Sequence, residues 1–539
     1  MEINDNVGVV LWIEGDEVTF RIYKDKRVHR GQLLKIIDQN IKFIIKVTDF
    51  KPETLLSPAE ISRISFKIEK GESIDIMDEE LRCYYTATGK IICQIDDYGY
   101  ITGPTTIPKI FSNVKYITPK DLEEIRLETG DIKIGYLRSG HKATGSTISI
   151  NGEKAFPHHV LVCSITGGGK TNFGKVLAWN IMKEKGKYSM LIIDTESEYF
   201  DGGDKEHLGL VHSIHSEKGL VYITPRVKFP CKIQYEFRFG SERITRNIQA
   251  YPLEIWWGTL QPEDFEQTGE YTPPQEALLW MMWRRHRENW LKYLIERDAN
   301  LIYNELRGKI QKTTILVTKR KILKTIGEEI IFKSEECKTR LINEVLKAIS
   351  EGKVILIDMP TSSESQEKLV TVLFARRIFK FYERCRKIFP KKWEKLPTTL
   401  IMVEEAHRYL SKQALYQGGV KRENIFAIIS KRGRKYRVGV CCITQMPGEL
   451  DEPLIRQQLT KIILPLPTKP DYQLLINYSP YLDDSGTEMK TLDKGEAIII
   501  SPPSGIKFAV PAKIFKYENV IIDELANEVY IREEQVEKE

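Results

Sequence analysis

The sequence predicts an α/β fold: a parallel, doubly wound sheet with helices on both faces, preceded by a small β-barrel and interrupted by a helical subdomain. Three observations carry that expectation. From residue 148 onward, apolar runs short enough to be buried strands alternate with stretches of helical spacing. Ahead of them, residues 6–104 hold β-branched or aromatic runs separated by turn residues. Between residues 274 and 349 the alternation stops, and 275–306 and 335–349 read as helices.

In chain order, the barrel (1–104) is predicted from Val7-Gly-Val-Val-Leu-Trp-Ile, Glu17-Val-Thr-Phe-Arg-Ile-Tyr, Ile41-Lys-Phe-Ile-Ile-Lys-Val, Cys83-Tyr-Tyr and Gly89-Lys-Ile-Ile-Cys-Gln-Ile. Residues 105–147 mix Pro, Gly, Ser and charge and read as a linker with a helix at 119–128. The α/β core (148–517) is predicted to contain the strands Val160-Leu-Val-Cys, Ser189-Met-Leu-Ile-Ile-Asp, Lys353-Val-Ile-Leu-Ile-Asp, Thr399-Leu-Ile-Met-Val-Glu, Val438-Gly-Val-Cys-Cys-Ile-Thr, Lys461-Ile-Ile-Leu-Pro-Leu and Glu496-Ala-Ile-Ile-Ile. Residues 518–539 read as an acidic terminal helix that frays near Glu539.

A chain of 539 residues exceeds one compact core, and about three units are expected. With 41% hydrophobic and 29% charged residues, and no apolar run near the ~20 residues of a membrane span, the cytoplasm is the expected compartment. Residues 1–6 are polar, which does not fit a secretory leader. The eight cysteines show no Cys-x-x-Cys spacing, so neither a disulfide framework nor a structural metal is expected. A net charge of +6 makes no global case for nucleic acid, so distribution matters more. Residues 281–325 carry twelve Lys or Arg against four acids, interleaved with Trp283, Trp290, Tyr293 and Tyr303. Such a pattern can bind nucleic acid by phosphate contacts and stacking, but more often it is an amphipathic helix with its aromatics in a core.

One stretch organises the chemistry. Val160-Leu-Val-Cys-Ser-Ile-Thr-Gly-Gly-Gly-Lys-Thr runs from a buried strand through a glycine cluster into a helix marked by Phe173, Val176, Leu177 and Ile181. That is the layout of a P-loop, with Ser164 where the usual pattern opens on glycine. Residues Thr166, Gly167, Gly168, Gly169, Lys170, Thr171 and Asn172 are expected to hold ATP. Main-chain N–H groups would cradle the phosphates, Lys170 would reach the β- and γ-phosphates, and Thr171 would face Mg²⁺.

Hydrolysis needs a carboxylate for the metal and usually another for the attacking water. Glu404 and Glu405 stand together at the end of an apolar run, so Glu404 is assigned to the metal and Glu405 to the water. Asp194, in Asp194-Thr-Glu-Ser-Glu-Tyr, ends the strand after the P-loop helix and is favoured over Glu196 and Glu198 for the metal or water. Asp358 is read as a cap of the following helix. Thr444-Gln445 ends another strand, where Gln445 could sense the γ-phosphate. Lys431-Arg-Gly-Arg-Lys-Tyr-Arg supplies candidate arginine fingers, Arg434 first and Arg432 second. A solvated helix end with a favourable dipole interaction accounts for the same cluster.

Six motifs in this order resemble the HerA family of hexameric DNA translocases, in the FtsK-type branch of P-loop ATPases. They are His159-Val-Leu-Val-Cys-Ser-Ile-Thr-Gly-Gly-Gly-Lys-Thr, Asp194-Thr-Glu-Ser-Glu-Tyr, Val403-Glu-Glu-Ala-His-Arg-Tyr-Leu, Gly433-Arg-Lys, Thr444-Gln-Met-Pro and Leu492-Asp-Lys-Gly-Glu-Ala. The resemblance spans residues 7–517, and the glutamate pair before Ala-His is its specific element. It implies a RecA-like core, a six-subunit ring threading double-stranded DNA, and nucleotide sites shared between neighbours, with Arg434 or Arg432 reaching across. His158 stands where the family frequently has an arginine beside the nucleotide. A NurA-type nuclease partner in DNA end processing and repair is also implied. Two other functions share this core: a conjugation or secretion motor, and a nucleotide-gated scaffold that recruits a nuclease or defence effector.

Overall fold

Residues 6–116 fold as they do because one face of their strands is apolar and the sheet closes on itself to bury it. The computed structural model describes residues 5–73, 78–204, 206–327, 330–417 and 420–536. The strands are β1 (Asn6–Glu14), β2 (Glu17–Ile22), β3 (Leu33–Asp38), β4 (Ile41–Thr54), β5 (Cys83–Ile95), the short β6 (Ile101–Thr102) and β7 (Asn113–Tyr116). They pair in the order β2-β1-β7-β3-β4-β5, and β2 pairs again with β5, so six strands close into a barrel. Val10, Phe20, Ile36, Phe43 and Val114 fill it.

Two expectations change here. The runs at 83–85 and 89–95 are one strand, β5. The stretch 105–147 is not simply a linker, because it supplies β7, which closes the barrel between β1 and β3. Asn113-Val-Lys-Tyr is too short and polar to announce a strand, and only Val114 of the four is buried. Most of the next hairpin, β8 (Ile132–Ser139) and β9 (Lys142–Ile150), lies in that stretch too and joins the core sheet. The helix expected at 119–128 forms as Pro119–Glu124, capped by Thr118.

The core strands that follow are β10 (Val160–Cys163), β11 (Tyr188–Asp194), β12 (Leu220–Thr224), β13 (Cys231–Phe239) and β14 (Glu242–Pro252). After the two-residue pair β15 (Ile255–Trp256) and β16 (Phe332–Lys333) come β17 (Val354–Asp358) and β18 (Thr398–Val403). The short β19 (Tyr416–Gln417) and β20 (Val420–Lys421) precede β21 (Val438–Thr444), β22 (Thr460–Ile463), β23 (Glu496–Ser501) and β24 (Ile506–Ile514). Thirteen of these form one sheet, in the order β13-β14-β12-β17-β11-β18-β21-β10-β22-β23-β24-β8-β9. The run from β14 to β22 is parallel throughout. Apart from β14, which alternates, its strands are buried along their whole length because both faces are covered: Val160 and Val162 join one core, Leu161 and Cys163 the other.

The helical subdomain contains Pro273–His286, Trp290–Glu296, Ala299–Glu305, Lys312–Ile326 and Leu341–Ser350. Most of its aromatics pack inward, although Tyr303 is exposed: Trp290 is fully buried and donates its indole N–H to the Leu260 carbonyl at 3.0 Å. His286 stacks on Tyr293, and Arg287 lies over Trp283. The basic, aromatic pattern is therefore that of amphipathic helices closing a core. The C-terminal helix Tyr517–Val536 is docked rather than trailing, with Tyr517, Ile521 and Leu525 buried. Trp179 of the P-loop helix donates to Glu524 at 2.7 Å. The expected fraying at Glu539 lies outside the described residues. Barrel and core meet through a buried ion-pair triad, in which Glu488 takes Lys46 at 2.6 Å and Arg138 at 2.5 Å.

Candidate nucleotide site

Ser164–Gly169 connects β10 to the helix Lys170–Lys183 at the C-terminal edge of the parallel sheet, the side on which such sheets bind ligands. The loop is anchored at its start by Ser164 N–H to the Thr444 carbonyl at 3.2 Å and Ile165 N–H to the Pro465 carbonyl at 3.0 Å. Beyond that, the N–H groups of Gly167, Gly169, Lys170 and Thr171 donate no hydrogen bond to the described residues. Four main-chain donors at a helix N-terminus fit a polyphosphate. Gly169 has φ +113°, a conformation that side-chain-bearing residues rarely adopt.

The departure at Ser164 has a steric counterpart. A Cβ on Gly168 would lie 2.0 Å from the Ser164 Oγ, so the serine occupies the room that glycine at 168 leaves free. That hydroxyl is buried and has no hydrogen-bond partner among the described residues. Lys170 Nζ lies 3.2 Å from the Ile165 carbonyl and 3.4 Å from that of Ser164. Burial pulls its pKa down, against the pull of Glu405 and Glu404.

Sheet register brings the acids to this loop. Cys163 pairs with Thr444, and Val403 with Cys442, so Glu404, Glu405 and Gln445 emerge beside the P-loop. Thr166 Oγ donates to Gln445 Oε1 at 2.5 Å, and Gln445 Nε2 donates to Glu405 Oε1 at 2.7 Å. His407 Nδ1 is 3.4 Å from Glu405 Oε2. Glu405 has φ +44°, an uncommon conformation for a non-glycine residue that turns the chain sharply after Glu404. Glu404 points to the β11 side, where the Tyr199 hydroxyl donates to its Oε1 at 2.6 Å. Burial, helped by Asp194, Glu198 and Glu405, raises the Glu404 pKa to about 7. Hard to ionise by itself and close to other acids, Glu404 suits a site completed by a divalent cation.

Other predicted residues fall elsewhere. Asp194 is buried, and its two oxygens accept the N–H groups of Glu198 at 3.3 Å and Tyr199 at 2.9 Å. It shapes the 194–199 turn through both oxygens. Asn172 turns away from the phosphates, donating to the Phe515 carbonyl and accepting from Tyr517 N–H, both at 2.8 Å. It ties the P-loop helix to the C-terminal helix. Asp358 caps no helix. It accepts the hydroxyls of Ser197 and Tyr222 at 2.6 Å and Thr224 at 3.1 Å, while Ser363 caps the helix that follows.

His158 precedes β10, at the opposite end of a four-residue strand and so about 13 Å of chain from the loop. Its Nδ1 is 2.8 Å from the Lys154 carbonyl. It cannot touch a nucleotide held by its own P-loop. Arg432 and Arg434 lie at the same far edge, on the helix Ile425–Tyr436 leading into β21. Arg432 pairs with Glu383 at 2.8 Å, whereas Arg434 is exposed and has no ion pair among the described residues. His159 fixes this helix to the sheet: its Nε2 donates to the Ser430 carbonyl at 3.0 Å, and its Nδ1 accepts Val440 N–H at 3.2 Å.

Two parts of the site belong to the motifs Leu492-Asp-Lys-Gly-Glu-Ala and Asp194-Thr-Glu-Ser-Glu-Tyr, whose spacing alone gives them no role. The turn Asp493–Glu496 packs on the P-loop, with Gly495 N–H 3.4 Å from the Gly168 carbonyl. Tyr199 reaches Glu404 over the P-loop helix. The hint for the latter is Gly174, a glycine inside a helix, where the residue is costly unless something passes close by.

A phosphate-binding loop on a parallel sheet, with paired acids two strands away, defines a P-loop ATPase. A family model described as "Helicase HerA, central domain" matches residues 132–378. The chain is 26% identical over 466 residues to the DNA double-strand break repair helicase HerA of Sulfurisphaera tokodaii, covering 84% of this chain and 82% of that one. It is 25% identical over 478 residues to the protein of the same name from Saccharolobus solfataricus, with coverage of 84% and 82%. Among solved structures it overlays the bacterial conjugative coupling protein TrwB with a TM-score of 0.44 and 11% identity, covering 74% of this chain and 92% of that one. The chain is similar to HerA helicases over most of its length. No helix among the described residues is long and apolar enough to cross a membrane.

Proposed function

We propose that this protein is an ATP-driven motor on double-stranded DNA that works as a ring, most simply of six copies, with each nucleotide site shared by two neighbours. The observation that carries this reading is the split geometry of the catalytic groups. Thr166, Lys170, Glu404, Glu405 and Gln445 gather at one edge of the sheet, whereas Arg434 is exposed at the other. An arginine so placed serves a triphosphate only by facing the site of an adjacent copy, where its fixed bidentate geometry would meet charge developing on the γ-phosphate.

Within one subunit, Thr171 and Glu404 are the groups to hold Mg²⁺, which would neutralise charge on the bound ATP. Glu405, held by Gln445, orients the attacking water and takes its proton. The duplex as substrate, and end processing beside a NurA-type nuclease in the cytoplasm, are drawn from the family and from the names of the two repair helicases. The test is ATPase activity of the purified protein with and without duplex DNA. Stimulation by DNA is expected, with loss in Lys170→Ala or Glu405→Gln. Turnover indifferent to every nucleic acid overturns the DNA motor. Normal function of Glu405→Gln would favour a nucleotide-gated scaffold instead.

A further inference from the structure

We infer that Tyr199 is the positioning residue of Glu404, holding that carboxylate by its phenol hydroxyl in the orientation in which it serves the nucleotide's divalent cation. The inference rests on the assignment of Glu404 to the metal made above, and adds a residue that this assignment does not contain.

The geometry is specific. Tyr199 ends the turn that begins at Asp194, and its main-chain N–H is pinned by Asp194 Oδ2 at 2.9 Å. From there the ring is fully buried and crosses the P-loop helix to reach the end of β18. Its hydroxyl donates to Glu404 Oε1 at 2.6 Å and lies 3.5 Å from Met402 Sδ. Glu404 Oε2 accepts no hydrogen bond from the described residues. One oxygen is thus fixed by the phenol while the other is left for a ligand, the usual division of labour where an outer group orients a metal-binding carboxylate.

The helix in between is shaped to allow this. A Cβ on Gly174 would lie 2.4 Å from the Tyr199 hydroxyl and 3.1 Å from both Tyr199 Cε1 and Met402 Cε. Glycine inside a helix costs about 1 kcal/mol relative to alanine, so a passage for the phenol is a reason to keep it there. Asp194, Tyr199 and Gly174 then act as one device. An acid shapes the turn, the turn aims the phenol, and the gap in the helix lets it through.

The test compares the parent, Tyr199→Phe, Gly174→Ala and Glu404→Gln. Binding of a non-hydrolysable ATP analogue is measured by calorimetry in EDTA and again in Mg²⁺, beside steady-state ATPase kinetics. For Tyr199→Phe, the metal-free affinity is expected to match the parent, while the gain on adding Mg²⁺ falls about tenfold, the scale of one hydrogen bond to a charged group. The kcat is expected to fall at saturating Mg²⁺ with little change in KM for the magnesium nucleotide. Gly174→Ala, which displaces the phenol without removing it, gives the same loss, and combining it with Tyr199→Phe adds little.

A Tyr199→Phe protein that keeps the full Mg²⁺ gain while Glu404→Gln loses it overturns the role of Tyr199 alone. A Glu404→Gln protein with an unchanged Mg²⁺ gain overturns both the metal assignment and this inference. A Tyr199→Phe protein that is less stable but binds as the parent does in both buffers identifies the tyrosine as packing only.

Discussion

Replacing Gln445 by alanine isolates the link between the P-loop and the acid pair. The side chain spans two groups: it accepts from Thr166 at 2.5 Å and donates to Glu405 at 2.7 Å. Removing it leaves Glu405 with His407 at 3.4 Å and the charge of Lys170, on a backbone already turned to φ +44°. A hydrogen bond to a charged acceptor contributes about 1.5–3 kcal/mol. If that energy is realised only when Glu405 holds the water in the transition state, its loss lowers kcat about 10- to 150-fold. Main-chain donors and Lys170 are untouched, so KM for ATP is expected to change less than about threefold. Steady-state phosphate release with and without duplex DNA measures both parameters. A Gln445→Ala protein with kcat within twofold of the parent, or one whose defect lies wholly in KM, refutes this account of the relay.

Two further outcomes follow from the geometry. Arg434→Ala is expected to lower ATP turnover at least about 1000-fold with nucleotide binding retained, the scale of an arginine finger. Mixing it with Lys170→Ala should restore activity, because some interfaces then pair an intact P-loop with an intact arginine; no recovery in mixed rings contradicts a shared site. Burial holds His159 at a pKa of about 4, against 6.5 when exposed, so the unfolded chain takes up a proton that the folded chain refuses. Its contribution is complete above pH 6.5 and is lost as pH falls towards 4, amounting to about 3 kcal/mol. Urea unfolding from pH 7 to pH 4 should show this slope in the parent and a shallower one in His159→Gln. Equal slopes would exclude His159 as the cause.

Sequence by itself determined where the candidate residues stand along the chain. Glycines before Lys170-Thr171, the adjacent pair Glu404-Glu405 and the apolar runs of the parallel strands are local patterns, and each forms as its spacing predicts because a strand buried on both faces has few other ways to be written. Tertiary structure decided what these residues touch. Asn172 sits beside Thr171 in sequence yet bonds to Phe515 and Tyr517, and Asp194 ends a strand at the right edge yet shapes the turn that follows through both oxygens. Asn113-Val-Lys-Tyr carries almost no strand signal and still closes the barrel, since pairing on both sides supplies what its own residues lack. Hydrogen bonds and ion pairs between distant segments, such as Tyr199 with Glu404 or Lys46 with Glu488, depend on where the fold delivers each side chain. One-dimensional spacing records the face a residue presents, and the register of the sheet decides which partner it meets.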